Sequence, residues 1–458
     1  MFATRIVVQG NGDGGTWHGI MVDAGRRIEL ADFGIQMGQV ANPDPGDQNQ
    51  LISLLSLTGP TTDIVGHDLF FGQAVGDGLR ILGDASLVQN IRFTDFEMRM
   101  AGLGRGSRSG VALQRGWRGV ELANFYIDGV KNSPIDMEPS GTTPMSHLNI
   151  HDGLIDQSLR QSEVVVSIAG SPQCERVKHV RVSDLTVLNG RLGIRKSEDV
   201  RLTNVTVVAT SDLHGPLLLA RDVNHQLRLE DLYLERSGGG AAGHLLDVEN
   251  LGDWTNVDGG AFVQHAPAAA LRFDGTRNLR VYGSRVEYRG PDPRKLDGIV
   301  VANVVGAADN VTIDQVTLGS TTGKLRSAIR FTARPRHSMR ALRVTDMHSA
   351  GAAINGVYFS YHPDASADRS PVVAGLNNGA DAVWKQVDRN DNVITSIFPV
   401  IAGNPGGVCQ MVGHAAPEGL VAAVQGTIYI REAGDATARY YKVSGTGVTG
   451  WSGPLIAP

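Results

Sequence analysis

Ile91-Arg92-Phe93-Thr94-Asp95-Phe96-Glu97-Met98 alternates apolar and polar residues, breaks step once at a small acidic residue, and then resumes. Alternation of this kind places every second side chain on one face of an extended strand. The break at Asp95 reads as a bend, because Asp and Asn bond to nearby backbone and tolerate turn conformations. The same eight-residue pattern recurs outward in both directions. It is present in Ile28–Ile35 with Asp32, Val120–Ile127 with Asn124, Leu148–Ile155 with Asp152 and Val180–Val187 with Asp184. It continues with Asn204, Asp231, Ser284, Gln315 and Asp346 at the marked place. From Asp95 onward most intervals are 20 to 32 residues, and the 53-residue gap before Ser284 is two intervals with Asn256 between them. A fixed internal period of this length is the mark of a solenoid.

A second short strand accompanies most repeats. Examples are Leu79–Leu82, Val111–Gln114, Ile135–Glu138, Leu217–Ala220, Leu246–Glu249, Leu271–Asp274, Ile299–Ala302 and Ile329–Thr332. One coil cannot bury its own apolar side chains. Stacked coils can, with each strand bonded to its equivalent roughly 4.8 Å away. The expectation is therefore an all-β chain: a right-handed, single-stranded parallel β-helix over residues 1–360, with the marked Asp and Asn side chains stacked in an internal polar ladder. A linker or broad loop is expected over 361–371, and a small β-rich module over 372–458 that serves trimerisation or glycan binding. Gly38–Gln50 reads as a loop insertion. No N-terminal cap precedes Ile6, so an upstream segment is expected to be missing.

Composition fits this reading and narrows the function. The 458 residues carry 42 basic and 47 acidic side chains, a net charge of −5 that offers no bulk attraction to nucleic acid or to an anionic membrane. The 57 glycines suit a chain of many turns, and with aromatics at 6% the core must be Val, Leu, Ile and Ala. Cys174 and Cys409 do not make a disulfide framework. No leader-like start and no membrane-length apolar run is present, so release by lysis or a trimmed chain is expected. There is no metal-ligand spacing and no phosphate cradle; neither metal nor cofactor is expected.

Beyond the linker the rhythm changes. Gly426–Arg431 and Ala438–Val443 read as strands of a hairpin turning at Glu432–Asp435, and Ser444-Gly445-Thr446-Gly447 leads to Gly450-Trp451. This stretch resembles a C-terminal segment of bacteriophage tailspike and tail-fibre proteins, where it often follows a pectin-lyase-like β-helix. The resemblance implies a homotrimer on the virion tail, extracellular after host lysis. It implies a partner too, a bacterial capsular or O-antigen polysaccharide that many relatives cleave.

A parallel β-helix presents its outward residues in columns that suit an extended polymer. Asp136 and Glu138 alternate on one strand, so their carboxylates emerge on one face about 6.5 to 7 Å apart. That separation suits the acid and base of an inverting glycosidase. A second cluster is Asp247, Glu249, Arg272 and Asp274, where like charges would raise one carboxyl into the range of a general acid. The bland reading of both is a solvated outer face. Trp254 reads as a loop residue that either stacks on a sugar or anchors its loop. Arg195 and Arg272 are expected to bind substrate. A lyase would draw instead on His147, His151, Arg160, His179, Arg195 and Lys196, and His214 with Asp212 reads as a structural turn. Ala112, Ser167, Gly193, Leu218 and Val300 are expected to face outward as part of a subunit-contact stripe.

Overall fold

The computed structural model describes residues 4–8, 18–37, 50–74, 76–84, 86–99, 108–137, 143–158, 164–170, 176–210, 213–237, 243–249, 253–291, 293–349, 351–362, 364–367, 371–376, 382–387, 400–403, 409–413, 416–418, 420–421, 423–433 and 436–456. The chain divides into two compact units, Met1–Asp247 and Val248–Pro458. Among the described residues the only helix is the 3-10 turn Pro293–Lys295, and no helix is long and apolar enough to cross a membrane.

In the first unit two families of strands stack in parallel. The long family runs Arg26–Met37, Thr61–Phe71, Val88–Arg99, Trp117–Asp128, Met145–Asp156 and Val177–Leu188. It continues into the strands Leu192–Ala209 and Leu218–Glu230. The short family runs His18–Asp23, Gln50–Ser56, Leu79–Gly83, Ser109–Leu113, Ser133–Met137 and Val166–Ala169, then enters the first residues of those same two long strands. Both ladders are in register, so inward residues stack on their equivalents. Ile64, Ile91, Val120, Leu148, Val180, Val200 and Leu227 form one such buried stack. This is the right-handed parallel β-helix that the repeat predicts.

The bend residues explain how one long strand turns twice without leaving the ladder. Asp32, Asp95, Asn124, Asp152, Asp184, Asn204, Asp231, Gln315 and Asp346 all take the left-handed conformation, with φ between 46° and 60°. Asp and Asn are among the few side chains at ease there. These side chains do stack, and Asn204 donates to Asp184 at 2.7 Å while Asn124 donates to Asp95. The ladder is external, however: these residues are exposed, because an αL bend turns its Cβ outward while the residue that follows it points in. Two markers also shift. Gly283, not Ser284, carries the bend at φ 62°, and Ser284 is buried with its hydroxyl donating to Gly259 O. Between Asp231 and Gly283 the turn falls on Gly259 and Gly260, not Asn256.

The second unit stacks three strand families in parallel. One runs Trp254–Asp258, Leu279–Tyr282, Ala308–Asp314, Met339–Thr345 and Val372–Ala374. Another is Ala261–Gln264, Arg285–Tyr288 and Thr317–Ser320. The third is Leu271–Asp274, Asp297–Ala302, Leu325–Ala333, Ala353–Tyr361 and Ala382–Val387. The pairing then changes direction. Val400–Gly403 is antiparallel to Cys409–Gly413, and Ile428–Ala433, Ala436–Lys442 and Trp451–Ile456 form an antiparallel meander. That is the expected hairpin, with the turn residues Gly434 and Asp435 outside the described residues. Tyr429, Tyr440 and Met411 make a small core for it, against which Trp451 packs. Of the predicted insertion, residues 38–49 also lie outside the described residues.

Candidate functional site

On the short-strand ladder of the first unit, outward residues align as Arg80, Ala112, Asp136, Ser167, Gly193 and Leu219. The partner on the last rung is Leu219; Leu218 pairs with Leu192 and points inward, fully buried, so the expected stripe is displaced there by one residue. A one-residue shift moves a side chain to the other face. Ala112 is also fully buried.

The small side chains at Ser167 and Gly193 leave a hollow in this face. A side chain built on Gly193 would meet only Val164, at 3.4 Å. The hollow is a cleft of about 170 Å³ lined by Ser167, Ala169, Arg191, Gly193, Arg195 and Leu219. Arg191 donates to the carbonyl of His214. Arg195, aligned with Ala169 and Arg221, is exposed, and among the described residues its guanidinium has no partner. Asp136 stands one rung from Ser167 and is partly exposed. Glu138, its expected companion, lies outside the described residues, as do Arg160, Cys174 and Asp212.

The carboxylates of the second unit have a different environment. Arg272 donates to Glu249 Oε1 at 2.7 Å and to Asp274 Oδ2 at 2.8 Å. Asp274 is fully buried, and its other oxygen accepts the backbone N–H groups of Val304 at 2.7 Å and Val305 at 3.1 Å. A carboxylate so engaged caps the turn after Ala302. Asp247, the last residue of the first unit, is 5% exposed on the strand Leu246–Glu249, and Glu249 is partly exposed. Trp254 opens the strand Trp254–Asp258 rather than lying in a loop. Thr255 and Val257 are buried there while its own ring is 52% exposed.

Of the residues a lyase would use, His147 and His179 are brought together at successive bends, with ring centres 4.8 Å apart. Burial, then the neighbouring His179, Arg118 and Arg181, hold the His147 imidazole below its usual pKa. His151 is raised instead, by its bonds to Asp152 and Glu121. Arg195 stands apart from these, on the short-strand ladder, and Lys196 takes a bend with φ 45°.

One group escaped the sequence reading. Asp297, 5% exposed, receives Arg326 Nε at 2.9 Å and Ser327 Oγ at 2.6 Å, with Arg330 Nη1 at 3.6 Å. The guanidinium groups of Arg326 and Arg330 lie 5.4 and 5.8 Å from the ring centre of Tyr358. Asp297 sits just before the apolar run Ile299–Ala302 and breaks no alternation, so no sequence pattern marks it. Among the described residues no group of three or more His, Cys, Asp or Glu is placed to hold a metal ion.

The sequence matches no family model and no curated protein. Among solved structures it is similar to tailspike protein 3 of bacteriophage CBA120, at 10% identity over 99% of this chain, with a TM-score of 0.52. Its fold is that of a tailspike β-helix. This tailspike-like chain spans 64% of the length of the CBA120 protein. It also matches the tailspike of E. coli bacteriophage HK620, a mutant in complex with a hexasaccharide, at 10% identity over 96% of this chain and 84% of that one, TM-score 0.41. A third match is the A-module of an Azotobacter vinelandii mannuronan C-5 epimerase, at 11% identity over 80% and 85% of the two chains, TM-score 0.37.

Proposed function

We propose that this protein is a receptor-binding spike of a phage tail, a homotrimer that binds a bacterial capsular or O-antigen polysaccharide and hydrolyses it. The observation that carries this reading is the cleft over Ser167 and Gly193, walled by Arg191 and Arg195, with Asp136 in the same outward column. A hollow lined with small residues and one unpaired guanidinium accepts a sugar chain laid along the rungs. The guanidinium meets hydroxyl, carboxylate or phosphate groups with several donors at once. The fold likeness to a tailspike supports this use of the scaffold without assigning a reaction.

Hydrolysis would draw on Asp136 and Glu138. One carboxyl gives its proton to the glycosidic oxygen as that bond breaks, and the other takes a proton from the water that attacks the anomeric carbon. Arg195 would hold the chain in place. Trp254 in the second unit offers an exposed ring face for a sugar, as a subsite of its own. The Glu249–Arg272–Asp274 group is assigned a structural role here, since its charges are already matched to one another and to backbone.

The test is reducing-end release from a panel of capsular and O-antigen polysaccharides, read together with absorbance at 235 nm. Reducing ends without absorbance are expected, and Asp136→Asn should lower their release about 100-fold or more. Both signals together would mean elimination, and tight binding with neither would mean an adhesin. Sedimentation equilibrium should give three times the 48.8 kDa chain mass, and a monomer would reject the trimer.

A further inference from the structure

On the long-strand ladder of the first unit an earlier bend falls at Asn90, Gly119, His147, His179 and Asp199, and the outward column two residues after it alternates in sign or is neutral over its early rungs. Arg92 faces Glu121 at 3.6 Å, and Asn149 follows. Then the pattern fails. Arg181, Arg201 and Arg228 stand in register on three successive rungs. Parallel rungs are about 4.8 Å apart, and like charges held that close are destabilising. Only Arg201 is neutralised, by Glu230 at 3.0 and 2.6 Å. Arg181 and Arg228 are exposed and, among the described residues, have no partner.

A second feature meets the arginines here. The pairing slips between Glu198 and Val200, so that Asp199 stands opposite two residues, His225 and Gln226. A bulge of this kind re-aims a side chain and is over-represented beside functional sites. Gln226 thereby joins His179, Arg181, Asp199, Arg201 and Arg228 around a cleft of about 200 Å³. The Asp199 carboxylate is 3.3 Å from His179 Nδ1, so among the described residues its ion pair is with the imidazole and not with Arg181 or Arg228.

We propose that Arg181, Arg201 and Arg228, with His179 and Gln226, form a second binding site that takes the anionic groups of an acidic polysaccharide. An arginine fork binds a carboxylate or sulfate with two parallel hydrogen bonds. Two open forks, Arg181 and Arg228, flank the Glu230-paired Arg201 and stand two rungs apart, so they recognise charges that recur along a polymer, and a bound polyanion removes the repulsion stored in the ladder. The anion site stands on this geometry alone. The choice of a polysaccharide rests on the function proposed above.

The probes are polygalacturonate for carboxylate, dextran sulfate for sulfate, neutral dextran, and single-stranded DNA, each cast into native gels, with mobility read against a polymer-free gel. The full chain should be retarded by polygalacturonate or dextran sulfate and not by dextran. Arg181→Gln/Arg228→Gln should weaken that binding about tenfold or more. Arg277→Gln/Arg343→Gln, which removes the same charge from exposed positions of the second unit, should leave it unchanged. Retardation by neither polyanion, equal losses in both double variants, or equal retardation by single-stranded DNA would each overturn the proposal. Loss of reducing-end release from every glycan with polyanion binding intact would reject the cleft's function and leave this site standing.

Discussion

Asn124 holds φ at 46°, a conformation that costs most L-residues about 1–2 kcal/mol. Its side chain is exposed, so the backbone requirement can be tested apart from packing. Asn124→Gly should change stability by only a few tenths of a kcal/mol, roughly the bond it makes to Asp95 offset by the ease of glycine at φ > 0. Asn124→Ile should cost about 1–2 kcal/mol in urea denaturation, and an isoleucine variant as stable as the glycine one would contradict the bend assignment. His67 supplies a different residue-scale prediction. Its two ring nitrogens meet Glu29 at 2.8 Å and Asp68 at 2.9 Å, and bonds to these carboxylates, Glu29 first, raise its pKa from 6.5 to about 9. The folded-state value lies above the unfolded one, so the imidazolium stabilises the fold fully below pH 6.5. That contribution disappears as pH rises through about 9. The difference in Tm between the wild type and His67→Gln should therefore be largest near pH 6 and vanish by pH 10. A difference that grows with pH would reverse the assignment.

At the scale of the strand, aromatic stacking locks one rung to the next. Phe96 and Phe125 are in register and stacked, with ring centres 5.3 Å apart, and Phe71 meets Phe96 edge-on at 6.2 Å. On the following rung the partner of Phe125 is Gly153, where a Cβ would run into the phenyl ring. Phe125→Ala should cost about 3–5 kcal/mol as a cavity opens between rungs. Gly153→Val should be worse, because backbone and ring cannot both stay in place. A valine variant with wild-type stability would show that the ring has room to move. Much of this scale was legible beforehand. Asp95, Asn124, Asp152, Asp184 and Asn204 mark the second bend of each long strand because αL geometry on an exposed corner admits few residue types. The first bend, five residues earlier, was not read. Its occupants are of mixed chemistry, Asp63, Asn90, Asp199, Asn278 and Asn310 alongside Arg27, Gly119, His147, His179 and Ala341, so their fixed spacing from the second bend marks them better than residue type does. Ser167 and Gly193 read as outward residues, Arg195 as a substrate-binding residue, and Asp136 as a candidate acid or base. The cleft they share with Arg191 is not legible there, because it depends on how the chain returns at the ends of short strands. Buried Asp274 could not be told from a catalytic carboxylate, since its backbone donors Val304 and Val305 lie some thirty residues further on.

Across the molecule, a stacked β-helix is held by nearest-neighbour contacts, so damage stays local unless it reaches a shared rung. The C-terminal meander tests this. Trp451 donates its indole N–H to Val421 O at 3.0 Å, packs edge-on to Tyr429 at 5.9 Å, and lies 5.6 Å from the buried ammonium of Lys442. Lys442 in turn donates to Gly447 O at 3.0 Å and to Thr449 O, which closes the loop before Trp451. Glu418 accepts the Trp451 backbone N–H at 2.9 Å and fixes the same corner. One indole thus ties together three segments of the described part of this module. Trp451→Ala should weaken that module by on the order of 3 kcal/mol. Amide exchange should accelerate through Ile428–Ala433 and Ala436–Lys442, while Val88–Arg99 and the other long strands of the first unit keep their protection. Uniform acceleration in both units would mean that the chain unfolds as one cooperative body, and the one-dimensional account of its stability would have to be given up.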